Sequence, residues 1–492
     1  MALGSPRSDG VTNPPDGAAA PGHPGEPGIG PDLSPPFTAA DDATRWLFNL
    51  NRFGIRPGLT RIQGLLEDLG NPQRDLRVLT TAGTNGKGGT TRILARLLQD
   101  GGRKVAAYTS PHLLQVHERI QINERQVDPA DFARRVEAIR PLVEKHEASW
   151  FETLTALAVQ IARDEGVDYL CCETGLGGRL DASNALTPEA VLVTTVGLDH
   201  QHILGETLEE IAVEKLGLLR RGVPLFCGVG DDLRSLVFRT SVVAGSPCYF
   251  LDELARWGDT AAGTWDLTLR ERVFAGLPDP GTAAMRRNVA LALLALSELP
   301  DTAGGDLLPA RPAESLRNLF LPGRYHRVFD DPAWIFDTAH NTQALDGVLT
   351  EFLQRPSRGR RVILFGAMHD KQMPVELGEL LTGCDHLVGA PISLPRSRTA
   401  AELADLFATW RRTVSPWPAA GAGLPPTVVA PHLDEALARV VAATGPGDEI
   451  LVTGSCFIVA EALHKLGIEE LDSTRTPRPA DAIRLHPKED RT

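Results

Sequence analysis

Short runs of apolar residues alternate with longer amphipathic segments along most of the chain. The short runs are rich in β-branched residues and predict strands at residues 76–81, 105–109, 167–174, 190–196, 334–337, 361–365 and 449–453. The amphipathic segments predict helices at residues 90–100, 151–164, 207–219, 342–353, 400–410 and 433–443. This alternation is typical of parallel sheets covered by helices, so we expect an α/β fold.

The length of the chain predicts more than one domain. At 492 residues it exceeds the size at which a single hydrophobic core stops growing. A Pro-containing stretch at 308–322 is the predicted linker between an N-terminal domain at 41–307 and a smaller C-terminal domain at 323–469. The two ends, 1–40 and 470–492, are polar and rich in Pro, and we expect disordered tails there.

Composition and charge narrow the classes of partner. The chain is 42% hydrophobic and 23% charged, and it has no apolar run long enough for a membrane helix or a secretory signal. A net charge of -13 argues against broad binding of nucleic acid or anionic membranes. Six cysteines lack any metal-binding spacing, and we expect reduced thiols in a cytoplasm, with the adjacent Cys171 and Cys172 on opposite faces of a strand.

A glycine-rich turn lies between the first predicted strand and helix. It has the sequence AGTNGK at residues 82–87, followed by Gly88 and Gly89. Backbone N–H groups at such a turn, together with the helix dipole, bind anions, and Lys87 can reach the outer phosphates of a nucleotide. An ordinary turn with a surface lysine is the alternative, but the strand-turn-helix context favours a loop that binds the triphosphate of ATP.

Polar residues follow three further predicted strands. Ser110, Glu173 and the pair Asp199 and His200 each stand where a strand ends. Ligands bind at the carboxyl ends of parallel strands, so these side chains should converge beside the phosphate loop. Each alone is more often a helix cap or a buried polar group. Together they predict a hard-metal site, with Mg²⁺ preferred beside phosphate oxygens.

Eight motifs occur in one order between residues 42 and 467 and together resemble a known family. They are GTNGKG (83–88), TSPHL (109–113), ETGLGGRLDASN (173–184), LDHQHILGETLEEIAVEKLG (198–217), LPGR (321–324), DTAHN (337–341), FGAMHDK (365–371) and VTGS (452–455). The set resembles the folylpolyglutamate synthase and dihydrofolate synthase family of the Mur ligase superfamily. This resemblance implies a P-loop-containing, Mur ligase-like ATPase domain with a mostly parallel sheet, followed by a Rossmann-like domain.

The resemblance also implies roles for individual positions. The implied nucleotide contacts are Thr84, Asn85, Gly86, Lys87, Asn288, Arg324 and Asp337, and the implied magnesium ligands are Ser110, Glu173 and His200. The segments implied to line a pterin site are Ser149, Trp150, Phe151, Glu152, Leu180, Asp181 and Ala182. The implied catalytic residues are Lys87, Lys215 and His340. Lys215 matches a lysine that the family carries as a carbamate, although the residue pattern alone favours a solvated lysine on an amphipathic helix.

The implied reaction joins L-glutamate to a folate-type carboxylate, on dihydropteroate or on a reduced folate, with ATP and two Mg²⁺ ions. The resemblance further implies a monomer whose partners are small molecules. Gly89 departs from the family pattern, because a Ser or Thr usually stands there and could bind the metal. Two alternatives therefore stay open, namely a Mur-type ligase acting on another acidic acceptor and a homologue that binds folate or nucleotide without catalysis.

Overall fold

Two mostly parallel sheets, one in each half of the chain, form the framework of this computed structural model. The structure describes residues 41–50, 54, 56–260, 263–300, 305–413 and 427–471. The predicted N-terminal tail, and the predicted C-terminal tail from residue 472 onward, lie outside these residues. Leu471 falls within the predicted tail but is buried in the second core, so the packed chain extends past residue 469.

The first half contains an eight-stranded sheet in the order β4-β3-β2-β5-β1-β6-β7-β8. Neighbours from β2 to β8 are parallel, whereas β3 and β4 are antiparallel additions at one edge. A three-stranded antiparallel sheet, β11-β10-β9, packs beside it. The strands are β1 (Arg77–Ala82), β2 (Val105–Tyr108), β3 (Ile120–Ile122), β4 (Arg125–Gln126), β5 (Tyr169–Glu173), β6 (Pro188–Val193), β7 (Leu225–Cys227), β8 (Cys248–Phe250), β9 (Ala255–Asp259), β10 (Thr264–Leu269) and β11 (Arg272–Pro278).

Helices cover both faces of this sheet, which explains why its central strands are buried throughout. Cys171 faces the core beneath the helices Lys87–Asp100 and Ala283–Glu298, and Cys172 faces the core beneath the helices Pro129–His146 and Trp150–Asp164, as the alternation of side chains in a strand predicts. All six cysteines are free thiols. The helices are α1 (Asp42–Asn49), α2 (Thr60–Asp68), α3 (Lys87–Asp100), α4 (Pro129–His146), α5 (Trp150–Asp164), α6 (Gln201–Leu204), α7 (Leu208–Leu216), α8 (Asp231–Ala244), α9 (Leu251–Leu254), α10 (Ala283–Glu298) and α11 (Pro312–Arg317).

The segment predicted as a linker is largely part of the first half. Pro312 opens α11, which packs against β11 and α3, and Leu308 and Leu316 are buried in the core of the first half. Much of the predicted linker over 308–322 is therefore packed against the first half. The two cores meet at residues 319–321, where Phe320 packs on the second core and its neighbours Leu319 and Leu321 on the first.

The second half contains a six-stranded sheet in the order β12-β13-β17-β14-β15-β16. Only β12 is antiparallel to its neighbour. The strands are β12 (His326–Asp330), β13 (Ala333–Phe336), β14 (Arg361–Phe365), β15 (His386–Gly389), β16 (Thr427–Val429) and β17 (Glu449–Thr453), and the helices are α12 (Thr342–Gln354), α13 (Leu377–Leu380), α14 (Ala400–Thr413), α15 (Leu433–Ala443) and α16 (Cys456–Lys465). The α/β class is thus confirmed in both halves. Among the described helices, none is long and apolar enough to cross a membrane.

Candidate functional site

The phosphate loop connects the carboxyl end of β1 to the first residue of α3, as predicted. Gly83 and Gly86 both have positive φ angles, 150° and 89°, which L side chains rarely adopt. A Cβ atom at Gly83 would also lie only 1.9 Å from Thr194 Oγ1. The predicted helix at 90–100 in fact begins at Lys87 and includes Gly88 and Gly89 in its first turn. The backbone N–H groups of that turn therefore point into the loop.

Hydrogen bonds fix the loop to the segment that follows β6. The Thr84 N–H donates to Thr195 O at 2.7 Å, and Thr84 Oγ1 donates to Gly197 O at 3.1 Å and accepts from the Gly197 N–H at 2.9 Å. Lys87 Nζ donates back to Thr84 O at 3.2 Å, so its ammonium lies over the loop. A phosphate bound here would meet a rigid cradle and a positioned cation.

Ser110 and Glu173 meet beside the loop, as their positions at strand ends predict. The Ser110 N–H donates to Glu173 Oε2 at 2.7 Å, and Glu173 is only 3% exposed. Burial raises the pKa of Glu173, while the charges of Lys87 and Arg324 act in the opposite direction. The two residues line a cavity of about 40 Å³ together with Gly88 and Arg324. This volume admits an ion and a few waters but no nucleotide.

Three of the predicted nucleotide contacts, Asn288, Arg324 and Asp337, lie outside the loop. Asn288, on α10, packs against the loop, because a Cβ atom at Gly86 would lie 2.6 Å from Asn288 Oδ1. Arg324 reaches the cavity from the start of the second half. The half-buried Asp337 carboxylate accepts from the Tyr325 and Ala339 N–H groups at 2.8 and 2.9 Å. Burial raises the pKa of Asp337, and the charge of Arg324 lowers it.

Asp199 links the two halves of the chain on the other side of the loop. Its carboxylate lies 2.6 Å from Lys371 Nζ, 3.1 Å from Asn341 Nδ2 and 3.6 Å from His340 Nε2. Burial acts to raise the pKa of Asp199, but the His340 ring and the charges of His200 and Lys371 hold it well below its usual range. The carboxylate is therefore an anion at any physiological pH.

His200 follows Asp199 and adopts a left-handed φ of 51°. Burial lowers the pKa of His200 to about 4, although the Asp199 charge raises it, so the ring is neutral and keeps a lone pair for a metal. Of the described residues, those that line the Ser110 and Glu173 cavity do not include His200. Nor do any three His, Cys, Asp or Glu side chains of the described chain form a metal cluster. A metal at either place would need oxygens from phosphate or water.

Lys215 is buried inside the molecule, which excludes the interpretation as a solvated lysine. It lies on α7, whose N-terminus has a capping box between Thr207 and Glu210. Its side chain points inward, with the residue 3% exposed and Nζ donating to Gly83 O at 3.1 Å. Burial, followed by the charge of Lys87, lowers the pKa of Lys215 to about 7. A large fraction of this amine is thus neutral and nucleophilic near neutral pH.

Several residues of the predicted pterin segments have structural partners in the fold. Ser149 and Glu152 form the capping box of α5, and Asp181 caps the turn after it and accepts from the Leu176 N–H at 2.8 Å. Trp150 is 4% exposed, and the Arg119 guanidinium lies 4.4 Å from the centre of its ring. Ala182 is also buried. Because these residues are buried, they can form the wall of a site but expose little surface to a ligand.

Phe151 and Leu180 are the members of these segments that remain accessible. Leu180 is 36% exposed, and Phe151 packs over Gly175. The chain after α1 adjoins them, because the Gly58 N–H donates to Leu180 O at 3.5 Å and Arg61 Nε lies 3.1 Å from Glu152 Oε2. The Gly58 and Arg61 region carries no motif of its own, so its place beside Phe151 and Leu180 could not be predicted from the sequence.

One known family model matches most of the second half of the chain. Residues 323–456 match the family model described as the Mur ligase glutamate ligase domain. The chain is 28% identical to the dihydrofolate synthase/folylpolyglutamate synthase of Bacillus subtilis over 87% of this chain and 100% of that protein.

Solved structures of related enzymes share the fold. Escherichia coli FolC in complex with DHPP and ADP is 27% identical, with a TM-score of 0.75 over 86% of this chain and 97% of that one. A bifunctional folylpolyglutamate synthase/dihydrofolate synthase with Mn, AMPPNP and L-glutamate bound is 28% identical, with a TM-score of 0.74 over 88% and 100%. With the eight motifs in order and the loop, strand ends and second half arranged as described, the chain belongs to the folylpolyglutamate synthase/dihydrofolate synthase family of Mur ligases.

Proposed function

We propose that this protein is an ATP-dependent ligase that joins L-glutamate to a folate-type carboxylate, that of dihydropteroate, of a reduced folate, or of both. The observation that carries the proposal is the cavity beside the phosphate loop where Glu173 meets Arg324, close enough to Lys87 for both positive charges to act on the Glu173 carboxylate. Two of these groups come from the first half and one from the second, as an enzyme that brings nucleotide and acceptor together requires. Relatives over nearly the whole chain are named for this activity.

The chemistry begins with activation, because a carboxylate is a poor electrophile. A carboxylate oxygen of the acceptor attacks the γ-phosphorus of ATP, the bond to the bridging oxygen breaks, and ADP leaves. The glutamate amine then attacks the carbonyl carbon of the acyl phosphate, loses a proton, and expels phosphate through a tetrahedral intermediate. Lys87 neutralises charge on the transferring group, and the rest of the site positions reactants.

Mg²⁺ would be held by Ser110, Glu173 and His200, and when bound it supplies charge neutralisation at the phosphates. The residues fit this role, since Ser110 and Glu173 line one cavity beside the loop, and the charge of Lys87 acts on both the Glu173 carboxylate and the neutral His200 imidazole. The Ser110 and Glu173 cavity and the His200 ring are separate places, which supports two ions rather than one. Solved relatives contain a Mn ion with AMPPNP.

A carbamate on Lys215 is the remaining part of the proposed centre. Carbamates form when a neutral amine attacks CO₂, and a pKa of about 7 makes this amine available at neutral pH. The modification would convert a buried cation beside Gly83 into an anion that can help to hold a metal. The charge of Lys87 nearby would favour that anion.

The other predicted residues complete the proposal. Asn288, Arg324 and Asp337, with Thr84, Asn85 and Gly86 of the loop, bind the nucleotide, and Phe151 and Leu180 contact the pterin on a wall shaped by Ser149, Trp150, Glu152, Asp181 and Ala182. His340 faces the reaction centre from the second half. We further propose a monomer in a cytoplasm, where six free thiols would stay reduced.

One assay tests this function. Purified protein with ATP, Mg²⁺ and L-glutamate is offered dihydropteroate or tetrahydrofolate in parallel, and the products are read by mass spectrometry. We expect a mass gain of one glutamyl unit on at least one acceptor, with one ADP released for each product. Lys87→Ala is the matched control and should lose both signals by about 10²–10³-fold while its melting temperature stays close to that of the wild type. No mass gain on either acceptor would exclude the proposed function and leave the two alternatives, a Mur-type ligase acting on another acidic acceptor and a binding homologue.

A further inference from the structure

Asp199, in the first half of the chain, contacts Lys371, Asn341 and His340 of the second half. We infer that Asp199 is a positioning residue, which holds Lys371 and His340 so that the second half closes over the phosphate loop. The inference rests on the proposed ligase function, since closure matters only if an acyl phosphate must be kept from water. Asp199 itself need not touch any reacting atom.

The contacts of Asp199 are short and largely buried. Lys371 Nζ lies 2.6 Å from one carboxylate oxygen, and the two side chains are only 14% and 10% exposed. Asn341 Nδ2 donates to the other oxygen at 3.1 Å, and His340 Nε2 lies 3.6 Å from the same oxygen. An ion pair shielded from water to this extent is costly to break, unlike one on the surface, because its partner would be left buried and unpaired.

The first half holds Asp199 in a fixed place. Asp199 Oδ1 accepts from the His200 N–H at 2.9 Å, which locks the carboxylate to its own turn. Two residues earlier, Gly197 exchanges hydrogen bonds with Thr84 of the phosphate loop. The carboxylate is therefore tied to the loop through three consecutive residues, and its position depends on that of the loop.

The second half presents Lys371 and His340 from equally fixed places. Two hydrogen bonds hold the segment that contains Lys371 to the segment 396–398. Arg398 Nη2 donates to Lys371 O at 2.9 Å, and the His369 N–H donates to Arg396 O at 2.8 Å. His340 Nδ1 is 2.9 Å from Thr338 O, which leaves Nε2 to face Asp199. Both partners are thus set before they meet the carboxylate.

A second cross-contact lies directly over the phosphate loop. Asn85 Nδ2 donates to Asn341 Oδ1 and to Gln343 Oε1 at 3.2 and 3.0 Å. Asn85 belongs to the loop that is proposed to bind the triphosphate, so we expect these contacts to part when ATP enters and to form again before glutamate attacks. Asp199 and Lys371 supply the charged part of that closure.

The experiment compares Asp199→Asn, Lys371→Met and the double variant with the wild type. Arg355→Met is the control, because Arg355 also bridges the halves, 2.7 Å from Asp279. Its partners among the described residues are Asp279, Gly281, Glu351 and Tyr325, none of which is placed in the proposed site. For the first two variants we expect kcat/KM for glutamate to fall about 10- to 100-fold. More ADP should be released per glutamyl product, and binding of AMPPNP should be unchanged. The double variant should be no worse than the worse single variant.

Small-angle X-ray scattering gives a readout that does not depend on turnover. With AMPPNP bound, Asp199→Asn and Lys371→Met should have a larger radius of gyration than the wild type and Arg355→Met. The inference would be overturned if Asp199→Asn had the same kcat/KM for glutamate, the same ratio of ADP to glutamyl product and the same radius of gyration as the wild type. The proposed ligase function would be unaffected by that result. If the wild type itself forms no product, the function fails, and scattering alone decides whether Asp199 closes the molecule.

Discussion

Two lysine amines donate to consecutive carbonyl groups of the phosphate loop. Lys87 Nζ lies 3.2 Å from Thr84 O, and Lys215 Nζ lies 3.1 Å from Gly83 O. The role of Lys87 can be predicted from the glycine-rich pattern, since a lysine at that place in a strand-turn-helix unit reaches phosphate. The burial of Lys215 does not follow from its own helix, because a lysine in a short amphipathic stretch usually faces water.

The first prediction concerns the cost of burying Lys215. Its pKa falls from the ordinary 10.5 to about 7 in the folded protein, so the unfolded chain binds the extra proton between these two values. The free energy of unfolding due to this group should therefore rise with pH in that window, by up to about 1.4 kcal/mol per pH unit. Below about pH 7 both states are protonated, and the slope should vanish.

Chemical denaturation of the wild type and of Lys215→Met, in CO₂-free buffer from pH 7 to pH 9, measures this effect. The difference in free energy of unfolding, wild type minus variant, should increase with pH because methionine does not titrate. A difference that stays constant over that range would show that Lys215 is not held in a buried, uncharged form.

At the scale of elements, the phosphate loop is the best predicted part of the fold. The β1-loop-α3 unit is found where the pattern places it. The first turn of α3 was not predicted, because Gly88 and Gly89 lie in it and glycine is a poor helix former. The helix α10 was missed for another reason. Its residues are buried almost all round, so it lacks the polar face that marks an amphipathic helix. Asn288 was identified only through the family resemblance.

Substitution of Gly88 and of Gly89, at the start of α3, should have different effects on the proposed metal site. A Cβ atom at Gly88 would lie 3.0 Å from Glu173 Oε2, whereas the atoms nearest to one at Gly89 belong to Met285 and Asn288, at ordinary distances of 3.5 and 3.7 Å. The departure from the family pattern at Gly89 therefore faces α10 and not the Glu173 carboxylate. Gly88→Ala should displace that carboxylate and raise the Mg²⁺ concentration for half-maximal activity about tenfold or more.

Gly89→Ala is the matched control for this prediction. It should leave the Mg²⁺ dependence unchanged and stabilise α3 by less than about 1 kcal/mol. Magnesium titrations of ADP release, together with thermal melts, compare the two variants. An unchanged Mg²⁺ requirement in Gly88→Ala would remove Glu173 from the proposed metal site.

At the scale of the whole molecule, the site depends on contacts between residues far apart in sequence. Ser110 and Glu173 could be predicted to meet, because both end strands of one parallel sheet. Asp199 and Lys371 are 172 residues apart in different halves, and no periodicity or spacing relates them. The burial of Leu308 and Leu316 could not be predicted either, because the Pro-containing sequence around them is typical of a linker. Only the folded structure shows the core of the first half against which they pack.

The central claim is that the acceptor carboxylate is activated as an acyl phosphate between these two halves. The most direct measurement uses an acceptor labelled with ¹⁸O in its carboxylate, with ATP, Mg²⁺ and L-glutamate, and analyses the phosphate released by mass spectrometry. We expect one labelled oxygen in each phosphate for each glutamyl product formed, because the oxygen that attacks ATP leaves with phosphorus. Product formation with unlabelled phosphate would contradict activation through an acyl phosphate.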